Sequence, residues 1–493
     1  MIARLERFSF LPALAERAVP VVLPATICCF AMGSSSVVEA VRIGGPLRWV
    51  MLFALVVCAV PYGASALGEL PRSFVATIGV LVGVTLLSAL WSVTPRLSGE
   101  RAISFLVLMV AVVCIGAGAS RSRPRVERVF AGLLIAAVLV AVAGLVVLLV
   151  DHQLAVQPRA STMPARMRGF GQNPNTASML FAVALPIAEW FALSARNVWI
   201  QLAAGGSCVL LYGSIMASGS RGAMLAAAAG TVSFLLLLAL RDIRRLVLIE
   251  AAAVVFFVAT FSLAGGRPSD VPAVAPTITS SPVVVPAGGS LAPTTGGQTQ
   301  PGLHGAAPST VLPTSRFDVG IKQGIPKTHV PVPFVPRSGE IGAPFIYEYK
   351  PITAYGSGRV FAWIWAIRQG LEVPLLGYGF GTETDVFVDR FYLFEGSYTE
   401  NSFVGMFLQL GLAGVLLLLL PFLFVAWAAL RVARRSTSSD GSVVAAAAGV
   451  VAAGFAIAFF QSYLYSVGNV ATLTFWAAAT IAIAISQRAT RAR

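Results

Sequence analysis

Apolar stretches of about twenty positions alternate with short polar breaks along most of the chain, and the breaks carry arginine. A helix of that length crosses a hydrocarbon core of roughly 30 Å, so each stretch reads as a membrane span. The pattern predicts spans at 19–37, 46–67, 74–91, 101–119, 129–150, 174–194, 198–217, 221–240, 246–264, 400–430, 442–465 and 469–486. Short alternating strands, the mark of a transmembrane barrel, do not occur in this pattern. The expected fold is an all-α polytopic membrane protein with about 12 transmembrane helices.

Residues 265–399 interrupt the rhythm and divide the chain into spans one to nine (1–264), one large loop, and spans ten to twelve (400–493). The part 268–335 is rich in Pro and Thr, has few aromatics and shows no helical period, which predicts an extended flexible linker. After it, 357–372 places Val360, Ile364, Ile367 and Leu371 at helical spacing beside Trp363 and Trp365, which predicts a helix lying in the membrane interface. A glycine-rich turn, VPLLGYGFGTE, then leads through acidic and aromatic positions to Glu400.

Composition agrees with the bilayer as solvent: of 493 residues 57% are hydrophobic and 11% charged, and the mean hydropathy is +0.81. The formal charge of +14 raises nucleic acid as a partner, but the arginines sit at span ends and no basic run interleaved with aromatics appears. No nucleic acid is expected. Alternating sides from a cytoplasmic N-terminus puts eighteen of the 35 basic residues inside, against eight in the short outward loops. Both termini are therefore expected in the cytoplasm. The first sixteen residues carry both charge signs and no cleavage pattern, so the first span is expected to remain. All five cysteines fall in apolar stretches and read as packing residues.

Polar residues are costly in such a chain, and the unusual ones gather on the outward side. Arg166-Met167-Arg168-Gly169-Phe170-Gly171-Gln172-Asn173-Pro174-Asn175 precedes the sixth span. Asn173 is suited to cap that helix and Pro174 to begin it, which leaves free N–H groups beside two arginines as a phosphate site. Ser218-Gly219-Ser220-Arg221-Gly222 repeats the design at the eighth span. Arg359 opens the interfacial helix, and Glu400-Asn401 opens the tenth span with a carboxylate suited to act as a general base. Each cluster also admits a plainer reading, of arginines reaching lipid phosphates and an acid favouring a helix N-terminus. His152, His304 and His329 are isolated. Glu383, Asp385 and Asp389 read by default as solvated charge, with a divalent cation as the alternative.

In order and spacing these segments resemble the O-antigen ligase and Wzy-type polymerase family, membrane glycosyltransferases of the GT-C superfamily that act on undecaprenyl-diphosphate-linked glycans. The resemblance covers most of the chain: the span count, the large outward loop, RGFGQNPN, SGSRGAML with Leu225 four residues after Arg221, GRVFAWIWA and PLLGYGFGT. The family's ligases often carry His-x10-Gly at the tenth span. Here Glu400 stands at the histidine position, with Gly411 at the same distance.

The resemblance implies an inverting transfer or polymerisation of a polyprenyl-diphosphate-linked glycan onto an acceptor hydroxyl at the outer face of a bacterial inner (plasma) membrane. Arg168, Arg221 and Glu400 are the expected catalytic residues; Arg166, Asn173, Asn175, Ser220, Arg359 and Asn401 are the expected substrate contacts. Its partners would be the lipid-linked donor, a glycan or glycolipid acceptor, and the bilayer. Metal-dependent transferases of this membrane class keep an acidic pair in the first outward loop, where 38–45 offers only Glu39, so neither metal nor cofactor is expected. A lipid-linked oligosaccharide flippase or polysaccharide transporter is the alternative, and a non-catalytic scaffold is a third.

Overall fold

The computed structural model describes residues 10–157, 165–238, 359–387, 398–435 and 439–491. The expected span 246–264 and the linker 268–335 lie outside these, as do His304, His329 and Asp389.

The described chain is mostly helical. Its long helices are α1 (Phe10–Gly33), α2 (Val38–Gly63), α3 (Arg72–Leu87), α4 (Pro95–Ser120), α5 (Arg123–Val150), α6 (Pro174–Ser194), α7 (Val198–Ala217) and α8 (Arg221–Leu238). After the undescribed part come α9 (Arg359–Gly370), α10 (Ser402–Arg435), α11 (Ser439–Ala458) and α12 (Thr472–Arg491). Ten of them, α1–α8, α10 and α11, are long and apolar enough to cross a membrane. This is a multi-pass helical membrane protein. The remaining long helix, α12, carries Arg488 and Arg491 in its last turn but is buried from Thr472 through Ser486.

Packing follows the rules of lipid rather than water. Outward-facing side chains are themselves apolar, such as Phe53 and Val57 on α2 or Leu139 and Val146 on α5. Burial therefore separates helix from helix contact, and small residues decide how close backbones come. Gly230 of α8 and Gly449 of α11 show this most clearly: a Cβ at Gly449 would lie 2.9 Å from the Gly230 carbonyl oxygen. Prolines inside α1, α2, α6 and α10 are accommodated within the bundle.

Two elements differ from the expected pattern. The eleventh span was read to residue 465, but α11 ends at Ala458 and turns fill 459–471. Gln461, Ser462, Ser466, Gly468 and Asn469 give that segment turn chemistry, and Gly468 takes φ +94°. The tenth span is broken at Gly411, whose φ of +62° interrupts the helix. There the loop segment after α9 docks by backbone pairing: Tyr378 and Gly379 donate to the Leu408 and Gln409 carbonyls, and Leu412 donates back to Pro374. A Cβ at Gly411 would stand 2.4 Å from the Leu375 carbonyl carbon, so only glycine allows the two chains to meet.

A helix forms at Arg359–Gly370, within the expected 357–372. Ala362 and Ala366 are fully buried against Phe387 and Leu408, while Ile364, Ile367 and Leu371 stay exposed. Small residues let this helix lie close on its neighbours, and the bulky apolar row faces outward.

Candidate functional site

At the end of the bundle where α6, α8 and α10 begin, three loops and α9 meet. The first loop is shaped by a two-residue ladder, Val156–Gln157 against Arg166–Met167, followed by Gly169 and Gly171 at positive φ. Ser35 donates to the Phe170 carbonyl (2.6 Å) and Ser36 to the Gly171 carbonyl (2.7 Å), which fastens this loop to the α1–α2 turn. Buried Gln172 donates to the Ala31 carbonyl at 3.0 Å. Asn173 caps α6 by accepting from the Asn175 backbone, and Pro174 takes the first helical position, as its missing N–H favours.

Arg166 is held from two sides. Its Nε donates to the Ser218 carbonyl and a terminal nitrogen donates to Asn175 Oδ1, both at 2.7 Å. Neither acceptor carries charge, so the guanidinium keeps its full positive charge. Burial and the nearby Arg359 and Arg221 push its pKa down, while Glu400 pulls it up. Four groups from separated segments thus share one electrostatic neighbourhood: Arg166, Arg221, Arg359 and Glu400. Three guanidinium groups share one carboxylate here, so the cluster keeps a net positive charge that an added anion would offset.

Arg221 stands at the first position of α8 after Ser218 and Ser220, whose side chains turn inward to the loop backbone. Among the described residues Arg221 has neither hydrogen bond nor ion pair, and its side chain is exposed. Arg359 is paired with Glu400, Nε to Oε2 at 2.6 Å, and both side chains are about one-fifth exposed. Arg168 lies apart from this group: its Nε reaches the Gln172 carbonyl at 3.4 Å within its own loop.

Glu400 adopts φ +50°, the only non-glycine residue at positive φ among the described residues. Such a conformation costs about 1–2 kcal/mol and persists only where the surroundings fix it. They do so on both sides. Asn401 caps α10 by accepting from the Phe403 and Val404 backbones, and donates to the Phe459 carbonyl. The Thr399 carbonyl accepts from Trp363 Nε1 of α9 at 2.8 Å.

Beneath Thr399 lies Glu383, 1% exposed, which corrects its reading as solvated charge. Its carboxylate accepts from the Thr399 backbone and hydroxyl (2.7 and 2.8 Å), Ser462 (2.9 Å), Tyr465 (2.8 Å) and Gln409 (3.1 Å). Those partners come from three distant segments, so no local pattern announced the burial. Burial pushes the Glu383 carboxyl above its ordinary range despite these donors. With its lone pairs so occupied, Glu383 holds the corner on which Glu400 stands. Asp385 is near the Thr94 hydroxyl, 3.4 Å away.

The polar residues singled out in the sequence therefore divide by role. Asn173, Asn175, Ser220 and Asn401 spend their side chains on caps and on Arg166, and position the loops. Arg166, Arg221, Arg359 and Glu400 are brought together as the charged groups. Sequence reasoning passed over Arg48 and Arg101, which flank Tyr398 at the same end. The available signal was Arg48 itself, a charge just inside a predicted span.

No family model matches the chain, and no curated protein matches it.

Proposed function

We propose that this protein is a membrane glycosyltransferase of the O-antigen ligase and polymerase type, moving or polymerising a polyprenyl-diphosphate-linked glycan onto an acceptor hydroxyl at the extracytoplasmic face. The observation that carries this reading is the meeting of Arg166, Arg221 and Arg359 beside Glu400, from four stretches of chain. A diphosphate is the anion that such a cluster of guanidinium groups suits, and planar donor forks at a water-poor boundary grip it well.

In this reading the acceptor oxygen attacks the anomeric carbon from the face opposite the phosphate, with inversion. The carbon–oxygen bond to the diphosphate breaks and its electron pair stays on the leaving phosphate oxygen. Arg166 and Arg221 stabilise that growing charge, the work a metal does in other transferases. The hydroxyl proton passes to Glu400. A diphosphate arriving at Arg359 competes for the guanidinium now paired with Glu400, which frees the carboxylate for that proton. Arg168, on the same loop as Arg166 but apart from the charged group, would meet the donor's second phosphate or first sugar in this reading. The donor's polyprenyl tail lies along the apolar outer helices, the membrane is the bacterial inner one, and both termini are cytoplasmic.

The test uses purified protein in nanodiscs with a lipid-linked glycan donor and a glycan acceptor. Arg221→Ala and Glu400→Gln, each folded and monodisperse, should form product about 10²–10³-fold more slowly than the parent. Parent-like rates in both variants would remove the assignment.

Translocation of a lipid-linked oligosaccharide is the second reading, favoured by Glu189, a fully buried carboxylate within α6 that accepts from Thr231 at 2.6 Å. Donor that crosses the bilayer without forming a new glycosidic bond, in a manner sensitive to Glu189→Gln, would favour it.

A further inference from the structure

A second cationic corner adjoins the first, and nothing in the mechanism above uses it. Arg48 of α2 leans over the end of α1, its Cδ near Gly33, and reaches toward Gly468 in the turn before α12. Its Nε is buried and has no hydrogen-bond partner among the described residues. The guanidinium lies over the Trp49 ring, 5.1 Å from its centroid, but the buried N–H forfeits its hydration without a hydrogen bond in exchange, a cost that a bound acceptor group would offset. Tyr398, two residues before Glu400, lies within electrostatic reach of both Arg48 and Arg101. Tyr398 as a residue is 45% exposed, and its hydroxyl makes no hydrogen bond among the described residues. Arg101 meanwhile donates to the Gly381 carbonyl and so is anchored to the glycine-rich turn.

Among the described residues the acids do not neutralise this corner. Glu383 is enclosed by the donors described above, and Asp385, nearest the Thr94 hydroxyl, is one carboxylate against two guanidinium groups. An exposed aromatic residue beside two guanidinium groups, one with an unsatisfied donor, combines a flat amphipathic surface with anion recognition.

We infer that Arg48, Tyr398 and Arg101 form a glycan subsite for an anionic sugar, a uronic acid or a sugar phosphate, bound beside Glu400 and apart from the diphosphate. The sugar ring lies on Tyr398, and its carboxylate or phosphate meets Arg48 and Arg101. This deepens the glycosyltransferase reading by giving its glycan a charge, while the binding itself is independent of turnover.

The probes are glucuronate, glucose 1-phosphate, glucose and inorganic phosphate, titrated against the full-length protein in phosphatidylcholine nanodiscs and followed by saturation-transfer NMR. One or both anionic sugars should bind, at least tenfold more tightly than glucose and than inorganic phosphate. Arg48→Gln should weaken that binding about tenfold, as loss of a charge-assisted contact does. Tyr398→Ala, at an exposed residue, should do the same without disturbing the fold. Glucose or inorganic phosphate binding as well as the anionic sugars would overturn the inference, as would parent-like affinity in Tyr398→Ala. Displacement of the sugars by phosphatidylglycerol built into the discs would overturn it too, making the corner a lipid-headgroup contact. Pyrophosphate titrated against Arg221→Ala separates the two ideas: unchanged pyrophosphate affinity there counts against the diphosphate site alone, and glucuronate binding decides the subsite.

Discussion

Two groups of arginines at opposite ends of the helical bundle are held in different ways. At the end where α1 and α5 begin, arginines are matched to carboxylates: Arg125 and Arg128 share Glu16 at 2.6 and 2.8 Å, Arg123 meets Glu127, and Arg488 meets Asp440 at 3.0 Å. Arg488 also donates to the Ser120 carbonyl and Arg491 to that of Gly68, closing exposed helix ends. At the other end Arg166 has only neutral acceptors, Arg221 has none among the described residues, and Arg48 keeps a buried N–H unmatched. Position at a helix terminus does not separate these arginines, since both ends supply it. Matching by a carboxylate sets Arg166 and Arg221 apart from that first group, while Arg359, paired with Glu400, and Arg96, paired with Glu100, are matched at the second end as well.

That contrast can be broken experimentally, and the largest effect belongs to the scaffold rather than to any arginine. Glu383→Ala removes the acceptor of five hydrogen bonds in a buried place and should cost about 3–5 kcal/mol of stability, read as a fall in the thermal midpoint of the detergent-solubilised protein. A variant as stable as the parent would mean that Glu383 does not hold the Glu400 corner. Next comes Arg221→Ala, expected to lower turnover by the two to three powers of ten given above while leaving the midpoint unchanged. A lowered midpoint with parent turnover would place Arg221 among the matched, structural set. Smallest is Glu16→Gln in the matched group. Its partly exposed pairs with Arg125 and Arg128 should yield only about 1 kcal/mol, with turnover intact. Lost turnover there would erase the distinction between the two groups.

Much of the scaffold was legible because lipid makes apolar length itself the signal. The sixth and seventh spans were expected at 174–194 and 198–217, and the helices run Pro174–Ser194 and Val198–Ala217. Asn173 and Asn197 cap them, so local chemistry fixed both starts. The first span was expected from residue 19, yet its helix includes Glu16 and Arg17, because Glu16 is neutralised by partners on α5 that no local reading supplies. Periodicity registered the bulky apolar row of α9 but not the face that packs, because Ala362 and Ala366 carry too little side chain to mark it. The four charged groups of the candidate site were each visible as residues out of place in an apolar chain. Their neighbours were not, since Glu383, Gln409, Ser462 and Tyr465 become one cluster only when three distant segments fold together.

The backbone at Glu400 carries a last implication. Glycine would occupy its left-handed conformation at ease, so the chain keeps a carboxylate where bare backbone is the more comfortable choice. Glu400→Gly relieves about 1 kcal/mol of backbone strain but also removes the pair with Arg359, so the thermal midpoint should change little while transfer falls at least as far as in Glu400→Gln. A position that can give up its chemistry with little change in robustness keeps its side chain for what that side chain does.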